Sequence, residues 1–323
     1  IDGRRRYFNR AVSSLLCLDP EANAMQGEAP PHPHRTRRLV EARRLLAAAG
    51  EGRWVEPIHL RIKYRLTVKA GSVPPGARLR CWLPFPRPSR RQRDIALVAA
   101  GPGDPVIAPA DAPQRTLYLE QTMPARGPAI FTGEFTYRAY ASVVVPDPAA
   151  ARALSPGKAG ELAPWLAERP PHVVFAPAVR QLAARLQAGE GNPLRVARRI
   201  FAWMQENIPW APAREYSTIR CIPRRVLAQR HGDCGMQALL MISLLRCCGI
   251  PARWQSGWNV RPGEPGMHDW LGLYIEPWGW IHADPSRGYI EGGEGREKWF
   301  YFGSLDPCRL TVCDDWGVQL HPA

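Results

Sequence analysis

The chain has 323 residues, 45% of them hydrophobic, and a formal charge of +14 at pH 7. That size and apolar content provide for a full core and more than one domain. No stretch reaches the ~18 consecutive apolar residues that a membrane span requires. The positive charge is nearly all arginine, lysine occurring only at Lys63, Lys69, Lys158 and Lys298. Apart from short clusters at residues 4–6, 35–38 and 87–93 the arginines are scattered, so no specific nucleic-acid partner is expected. An acidic peptide or protein substrate, or an anionic surface, fits the charge better, and oligomeric state is left open. The chain opens on Ile1 rather than Met. This favours an extracytoplasmic location, periplasmic or secreted, with a cytoplasmic one still open.

Residues 1–35 show no clear periodicity and close on the loop-forming run Pro30-Pro31-His32-Pro33-His34. Arg38 to Ala49 reads as one amphipathic helix with Leu39, Leu45, Leu46 and Ala49 near one face. Residues 1–55 are thus expected to be a helical or irregular N-terminal segment. From Ile58 to about Val145 the pattern changes to short alternating strands. His59 to Val68, Leu79 to Leu83, Thr116 to Leu119 and Phe131 to Tyr140 are examples, separated by Pro/Gly breaks. This predicts a β-sandwich domain over 56–148, ended by Pro146-Asp147-Pro148. A proline-rich connector through Pro170-Pro171 leads into helices and a second domain over 149–323. Val179, Leu182 and Leu186 mark one helix. Asn192 caps the next, with Pro193 at its first position and Leu194, Ala197, Phe201 and Met204 as its buried stripe.

The most apolar helical run is Met236 to Cys248, stopped by Gly249 and Pro251. Gly232 and Asp233 supply turn and N-cap chemistry ahead of it, so Cys234 falls in its first turn. Unpaired N–H groups and the positive end of the helix dipole there favour a thiolate. His268 follows 34 residues later at the head of an alternating run to Ile275. After Pro277-Trp278-Gly279 a second short strand, Trp280 to Asp284, ends on an acid. Cysteine on a helix start, histidine on one strand and aspartate on the next supply a nucleophile, a base and an orienting group.

In these blocks the chain resembles the transglutaminase-like superfamily of papain-type thiol enzymes. The resemblance rests on Gly232-Asp233-Cys234, on Leu244 to Arg253, on His268-Asp269-Trp270 and on Gly279 to Pro285, and runs over roughly Leu194 to Asp315. Glu215 to Ile219, Tyr301-Phe302-Gly303 and Cys313-Asp314-Asp315 are similar to a bacterial subgroup. Asp269 departs from the pattern, since many relatives carry a small residue after the histidine; it adds a charge beside the base.

The resemblance implies an α+β fold, with helices on an antiparallel sheet forming the catalytic core and a β-sandwich ahead of it. It also implies catalytic roles for Cys234, His268 and Asp284; His282, which shares a strand face with Asp284, is a competing base on the residue pattern alone. An acyl-enzyme on Cys234 would hydrolyse a peptide or carboxamide bond. Amine transfer is the alternative, as is a non-catalytic binding or scaffold module that retains the triad. The oxyanion would be held by the Cys234 N–H and one donor from among Gln229, Tyr216 and Trp210. Trp254, Trp258, Trp270, Trp278 and Trp280 cluster around the motifs, either as core or as a groove wall.

Of the other cysteines, Cys247 and Cys248 read as apolar filler. No Cys-x-x-Cys pair occurs, Cys308 and Cys313 lack the spacing of a zinc site, and no calcium loop is present, so neither metal nor cofactor is expected. One geometric difficulty concerns the hairpin. A tight turn at Pro277-Trp278-Gly279 would pair Asp284 near Gly272 or Leu273, ~14–17 Å along the strand from His268. Setting the two opposite one another requires a hairpin centred on Glu276.

Overall fold

The computed structural model describes residues 11–25, 33–50 and 52–323; positions 30–32 of the N-terminal proline run lie outside them. Two short helices, α1 (Ala11–Leu18) and α2 (Pro20–Ala24), occupy a stretch whose sequence has no amphipathic period. The second starts where Asp19 Oδ1 accepts the Glu21 and Ala22 N–H groups at 2.9 and 3.0 Å. A capped single turn needs no apolar face, which is why periodicity misses it. Helix α3 (Pro33–Ala48) buries Ala42, Leu45 and Leu46.

Six strands follow: β1 (Trp54–Val68), β2 (Arg78–Pro84), β3 (Gln92–Gly101), β4 (Val106–Ile107), β5 (Thr116–Thr122) and β6 (Ala129–Ser142). They form two three-stranded antiparallel sheets, ordered β1-β6-β3 and β2-β5-β4. Along β1, Ile58, Leu60, Ile62 and Tyr64 pack on a core, while His59, Arg61, Lys63 and Arg65 are exposed. The period-2 pattern is thus read directly as two faces. That core draws Leu83 and Phe85 from the β2 side, Leu117 and Leu119 from β5, and Phe131, Phe135 and Tyr137 from β6. Strand β3 was not legible in the sequence. Its register slips between Arg93 and Ala96 and again between Leu97 and Ala99, so bulges break the alternation that would have revealed it.

The remaining elements are α4 (Pro156–Glu161), α5 (Pro177–Gln187), α6 (Pro193–Asn207), α7 (Ile222–Gln229), α8 (Cys234–Cys247), β7 (Ala252–Asn259), β8 (Gly266–Ile275), β9 (Gly279–Ala283), α9 (Gly295–Lys298), β10 (Phe302–Gly303) and β11 (Arg309–Cys313). A five-stranded sheet has the order β10-β9-β8-β7-β11. The fold is therefore α+β. Residues group into two compact units. The first holds 1–47, 144–254 and 269–305; the second holds 48–143, 255–268 and 306–323, so two later segments join the sheet-rich region.

In the first unit α5, α6 and α7 pack around α8, which is buried continuously from Gly235 to Arg246. The polar groups inside this run are satisfied. Ser243 Oγ donates to the Leu239 carbonyl at 2.9 Å. Arg246 Nε donates to Ala252 O at 2.9 Å and its Nη1 to Ala167 O at 2.6 Å. Gly249, at φ +73°, ends the helix as the sequence pattern predicts. Among the described residues no helix is long and apolar enough to cross a membrane.

Helix α6 begins as its sequence predicts. Asn192 Oδ1 accepts the Leu194 and Arg195 N–H groups, each at 3.1 Å, with Pro193 following. The same side chain donates from Nδ2 to Pro148 O at 2.8 Å. Asn192→Ala removes the cap and should destabilise the protein by about 1–2 kcal/mol in urea unfolding. An unchanged midpoint would show that the cap contributes nothing.

Candidate functional site

The approach to Cys234 is built by local backbone chemistry. Helix α7 ends at Arg230 in the left-handed region, φ +61°, its N–H bonded to Val226 O. Gly232 then pairs with residues 209–211: its N–H donates to Pro209 O at 3.3 Å and its carbonyl accepts from Ala211 N at 3.2 Å. A Cβ on Gly232 would lie 2.8 Å from the Met236 Cβ, so only glycine passes here without displacement. Asp233 caps α8, its Oδ1 accepting the Met236 N–H at 3.0 Å and the Tyr216 hydroxyl proton. Cys234 is the first residue of the helix, as predicted.

The thiol meets a residue that the sequence marked only as an added charge. Cys234 Sγ donates to Asp269 Oδ2 at 3.4 Å, and the Asp269 backbone N–H bonds to the same sulfur. Gly235 makes room for this. A Cβ there would fall 2.8 Å from Asp269 Oδ2, 2.9 Å from the Trp254 ring and closer still to the Tyr216 hydroxyl. Three side chains therefore converge on the space that a missing methyl leaves open.

The electrostatics overturn the expected thiolate. Burial, followed by the charges of Asp269 and Asp233, holds the Cys234 pKa well above the ordinary thiol range. Burial likewise pushes Asp269 up to about 7, with Asp233 and Asp284 adding to the rise against a lowering hydrogen bond from Cys234. Tyr216 is raised far beyond an ordinary phenol by burial, then by Asp233 and Asp269. An unpaired anion is costly to desolvate, and here Asp233 and Asp284 also oppose a charge on Asp269.

His268 is the third residue of β8, 8% exposed, and immediately precedes Asp269. Asp284 is completely buried just beyond β9. Its Oδ1 accepts from Ser286 Oγ and Arg287 N, both at 3.0 Å, and its N–H donates to Tyr301 O at 3.0 Å. The β8–β9 register runs from Ile275 opposite Gly279 to Leu271 opposite Ala283. Continued by one residue it sets Asp284 across from Trp270, two positions along β8 from His268. The hairpin thus falls between the tight-turn expectation and one centred on Glu276. His282 is buried on β9, opposite Gly272 on one side and Gly303 on the other.

Of the three proposed donors, Tyr216 is the one whose hydroxyl reaches the cluster, with its proton directed to Asp233. Gln229 is exposed at the end of α7, its carbonyl 2.9 Å from His231 Nδ1. Trp210 is 42% exposed and bridges Gly232 through its backbone. The tryptophans serve different places. Trp254 abuts Gly235, and Trp270 is fully buried. Trp280 meets Trp165 and Tyr274 edge-on, under the Arg253 guanidinium at 4.4 Å, while Trp258 packs beside Tyr64 in the second unit. Among the described residues no disulfide links any of the eight cysteines. Burial pushes both Cys247 and Cys248 up to about 11. Among the described residues no group of three or more histidine, cysteine, aspartate or glutamate side chains is arranged to hold a metal ion.

Gly235→Ala should therefore lower stability by about 1–3 kcal/mol, the usual cost of overpacking, and move Tyr216 and Asp269 away from the thiol. Denaturant unfolding together with Cys234 alkylation kinetics measures both effects; wild-type values for both would show that the site absorbs a methyl group freely.

Residues 180–285 match the model of the transglutaminase-like superfamily, and this segment contains Cys234, His268 and Asp284. No curated protein sequence matches the chain. Among solved structures, the fold is similar to that of a candidate cysteine protease from Cytophaga hutchinsonii, at a TM-score of 0.55 and 17% identity over 72% of this chain and 78% of that one. The periplasmic domain of TgpA from Pseudomonas aeruginosa aligns at a TM-score of 0.36 and 15% identity, over 75% of this chain and 92% of that one.

Proposed function

We propose that the protein is a thiol hydrolase that cleaves peptide or carboxamide bonds through an acyl-enzyme on Cys234. The observation that carries this reading is a thiol on the first turn of a buried helix, gripped through its sulfur, inside the segment that matches the transglutaminase-like superfamily. The likeness to the Cytophaga hutchinsonii protein, described as a candidate cysteine protease, supports a protein substrate.

Because burial keeps Cys234 a thiol, attack needs a base, and His268 fills that role. As the S–C bond forms, the thiol proton passes to the imidazole. The carbonyl oxygen becomes the oxyanion, received by the Cys234 N–H, one of those that a helix start leaves without an intrahelical acceptor. Tyr216, Gln229 and Trp210 remain the candidates for a second donor, and Tyr216 can serve only if its proton turns from Asp233. Collapse expels the amine, which takes the proton from His268, and water then hydrolyses the thioester. Asp284 holds the imidazole tautomer, its carboxylate kept in place by Ser286 and Arg287.

Peptide-library turnover followed by mass spectrometry, with and without added amine, tests the reading. Acid products in both conditions support hydrolysis, and amine adducts would redirect it to transfer. No turnover and no trapped thioester would leave a binding module. Cys234→Ala and His268→Ala should abolish turnover, and Asp284→Asn should lower kcat by ~10- to 10³-fold with the fold intact by circular dichroism. Should His282→Gln abolish turnover while Asp284→Asn leaves it near wild type, the base assignment is wrong.

A further inference from the structure

The carboxyl of Asp269 has no place in a cysteine–histidine–aspartate scheme, yet it is the group that touches the sulfur. Its neighbours come from every side. Asp233 and Cys234 approach from the start of α8, Tyr216 from the single turn Tyr216–Thr218, and Asp284 from beyond β9, while His268 is the preceding residue on its own strand. Asp233 and Asp284 both oppose a negative charge on Asp269, so the group is eased when one of the three carboxyls keeps a proton.

Hydrogen bonding identifies which one. Asp233 receives the Met236 N–H and the Tyr216 hydroxyl at the positive end of a helix. Asp284 receives the Ser286 hydroxyl and the Arg287 N–H. Both sets of donors stabilise a carboxylate. The Asp269 carboxyl faces a thiol, the weakest donor of the group, in a space walled by Gly235 and Trp254. The proton belongs on Asp269, and its upward shift to about 7 points the same way.

We propose that Asp269 is a further catalytic residue, a carboxylic acid that donates its proton as a hydrogen bond to the Cys234 thiolate and whose ionisation switches the nucleophile off. The inference rests on the reading of Cys234 as the nucleophile. In the active form the Sγ–H proton, which the structure directs at Asp269, moves instead to His268; the sulfur keeps the electron pair, and the Asp269 O–H then turns to the thiolate without leaving its oxygen. As the S–C bond forms, the sulfur loses its charge and that hydrogen bond weakens; it is restored when the thioester is hydrolysed. With Asp269 ionised, the carboxylate lies at hydrogen-bond distance from the sulfur and a second negative charge there is opposed. A small apolar residue at this position would lack both the donor and the switch.

The test is the pH profile of Cys234 alkylation by iodoacetamide, read by peptide mapping against Cys247 and Cys248 in the same sample. Wild type, Asp269→Asn and Asp269→Ala are compared after circular dichroism shows which are folded. In the wild type, labelling of Cys234 should peak near pH 6, fall through about pH 7 and recover only in strong alkali. Asp269→Asn offers an amide donor that does not ionise, so the fall should vanish and labelling at pH 8 should exceed wild type by about tenfold, the effect of one unit of thiol pKa. Asp269→Ala should lose the fall as well but label more slowly than Asp269→Asn at pH 6, for want of a donor. Coincident profiles in wild type and variants would overturn the proposal. So would slower labelling of Asp269→Asn at every pH, the behaviour of a lost base. Peptide turnover by the same samples separates the two readings. The expected labelling profiles without turnover would sink the hydrolase and leave the control of Cys234 standing, whereas turnover with coincident profiles would do the reverse.

Discussion

Burial of α8 is the constraint on which the candidate site depends. The helix is enclosed from Gly235 to Arg246, and polar side chains tie down both of its ends. At the start, Gln237 Nε2 donates to Gly232 O at 3.0 Å, joining the first turn to the strand-like approach. At the far end, the Arg246 guanidinium spans carbonyls of Ala252 and Ala167. Sliding the helix by one residue would strand these donors in an apolar interior, at roughly 1–3 kcal/mol for each group left unmade. Cys234 is therefore positioned by the packed core rather than by a loop, which is the rigidity a reacting atom requires.

The same burial decides the charge of the site. A helix start favours an anion by about 0.3–1 kcal/mol, reaching ~2 kcal/mol in partly buried settings. Desolvation of a buried group can shift a pKa by 3–5 units, each worth about 1.4 kcal/mol. The Asp233 carboxylate, and that of Asp269 whenever it is ionised, act in the same direction as desolvation, so the dipole loses and Cys234 rests as a thiol. On the proposed reading, proton transfer then accompanies attack, unlike in an ion pair formed beforehand. Gly235 is what allows the carboxyl, the phenol and the indole to converge, because the space beside its Cα admits all three.

Local features were legible wherever a short stretch of chain determines its own geometry. Asn192 and Pro193 specify the start of α6 because cap and first-turn residue satisfy backbone groups within three positions. Asp233 and Gly249 bracket α8 for the same reason. Alternation along β1 reads as two faces because one side must pack on the aromatic cluster around Phe135. Strand β3 stayed hidden because bulges at residues 93–96 and 97–99 shift its side chains out of phase.

By itself the sequence determined the α+β class, the helix that carries the thiol, the order of the cysteine, histidine and aspartate motifs and their likeness to one superfamily. Each of these depends on residue type and spacing along the chain. Tertiary structure alone decided the hairpin register of β8 and β9, the assembly of a compact unit from residues 48–143, 255–268 and 306–323, and the meeting of Asp269 with Cys234. These depend on distances between segments far apart in the chain. No spacing in the sequence announces that a carboxyl 35 positions beyond a cysteine will be the group that holds its sulfur.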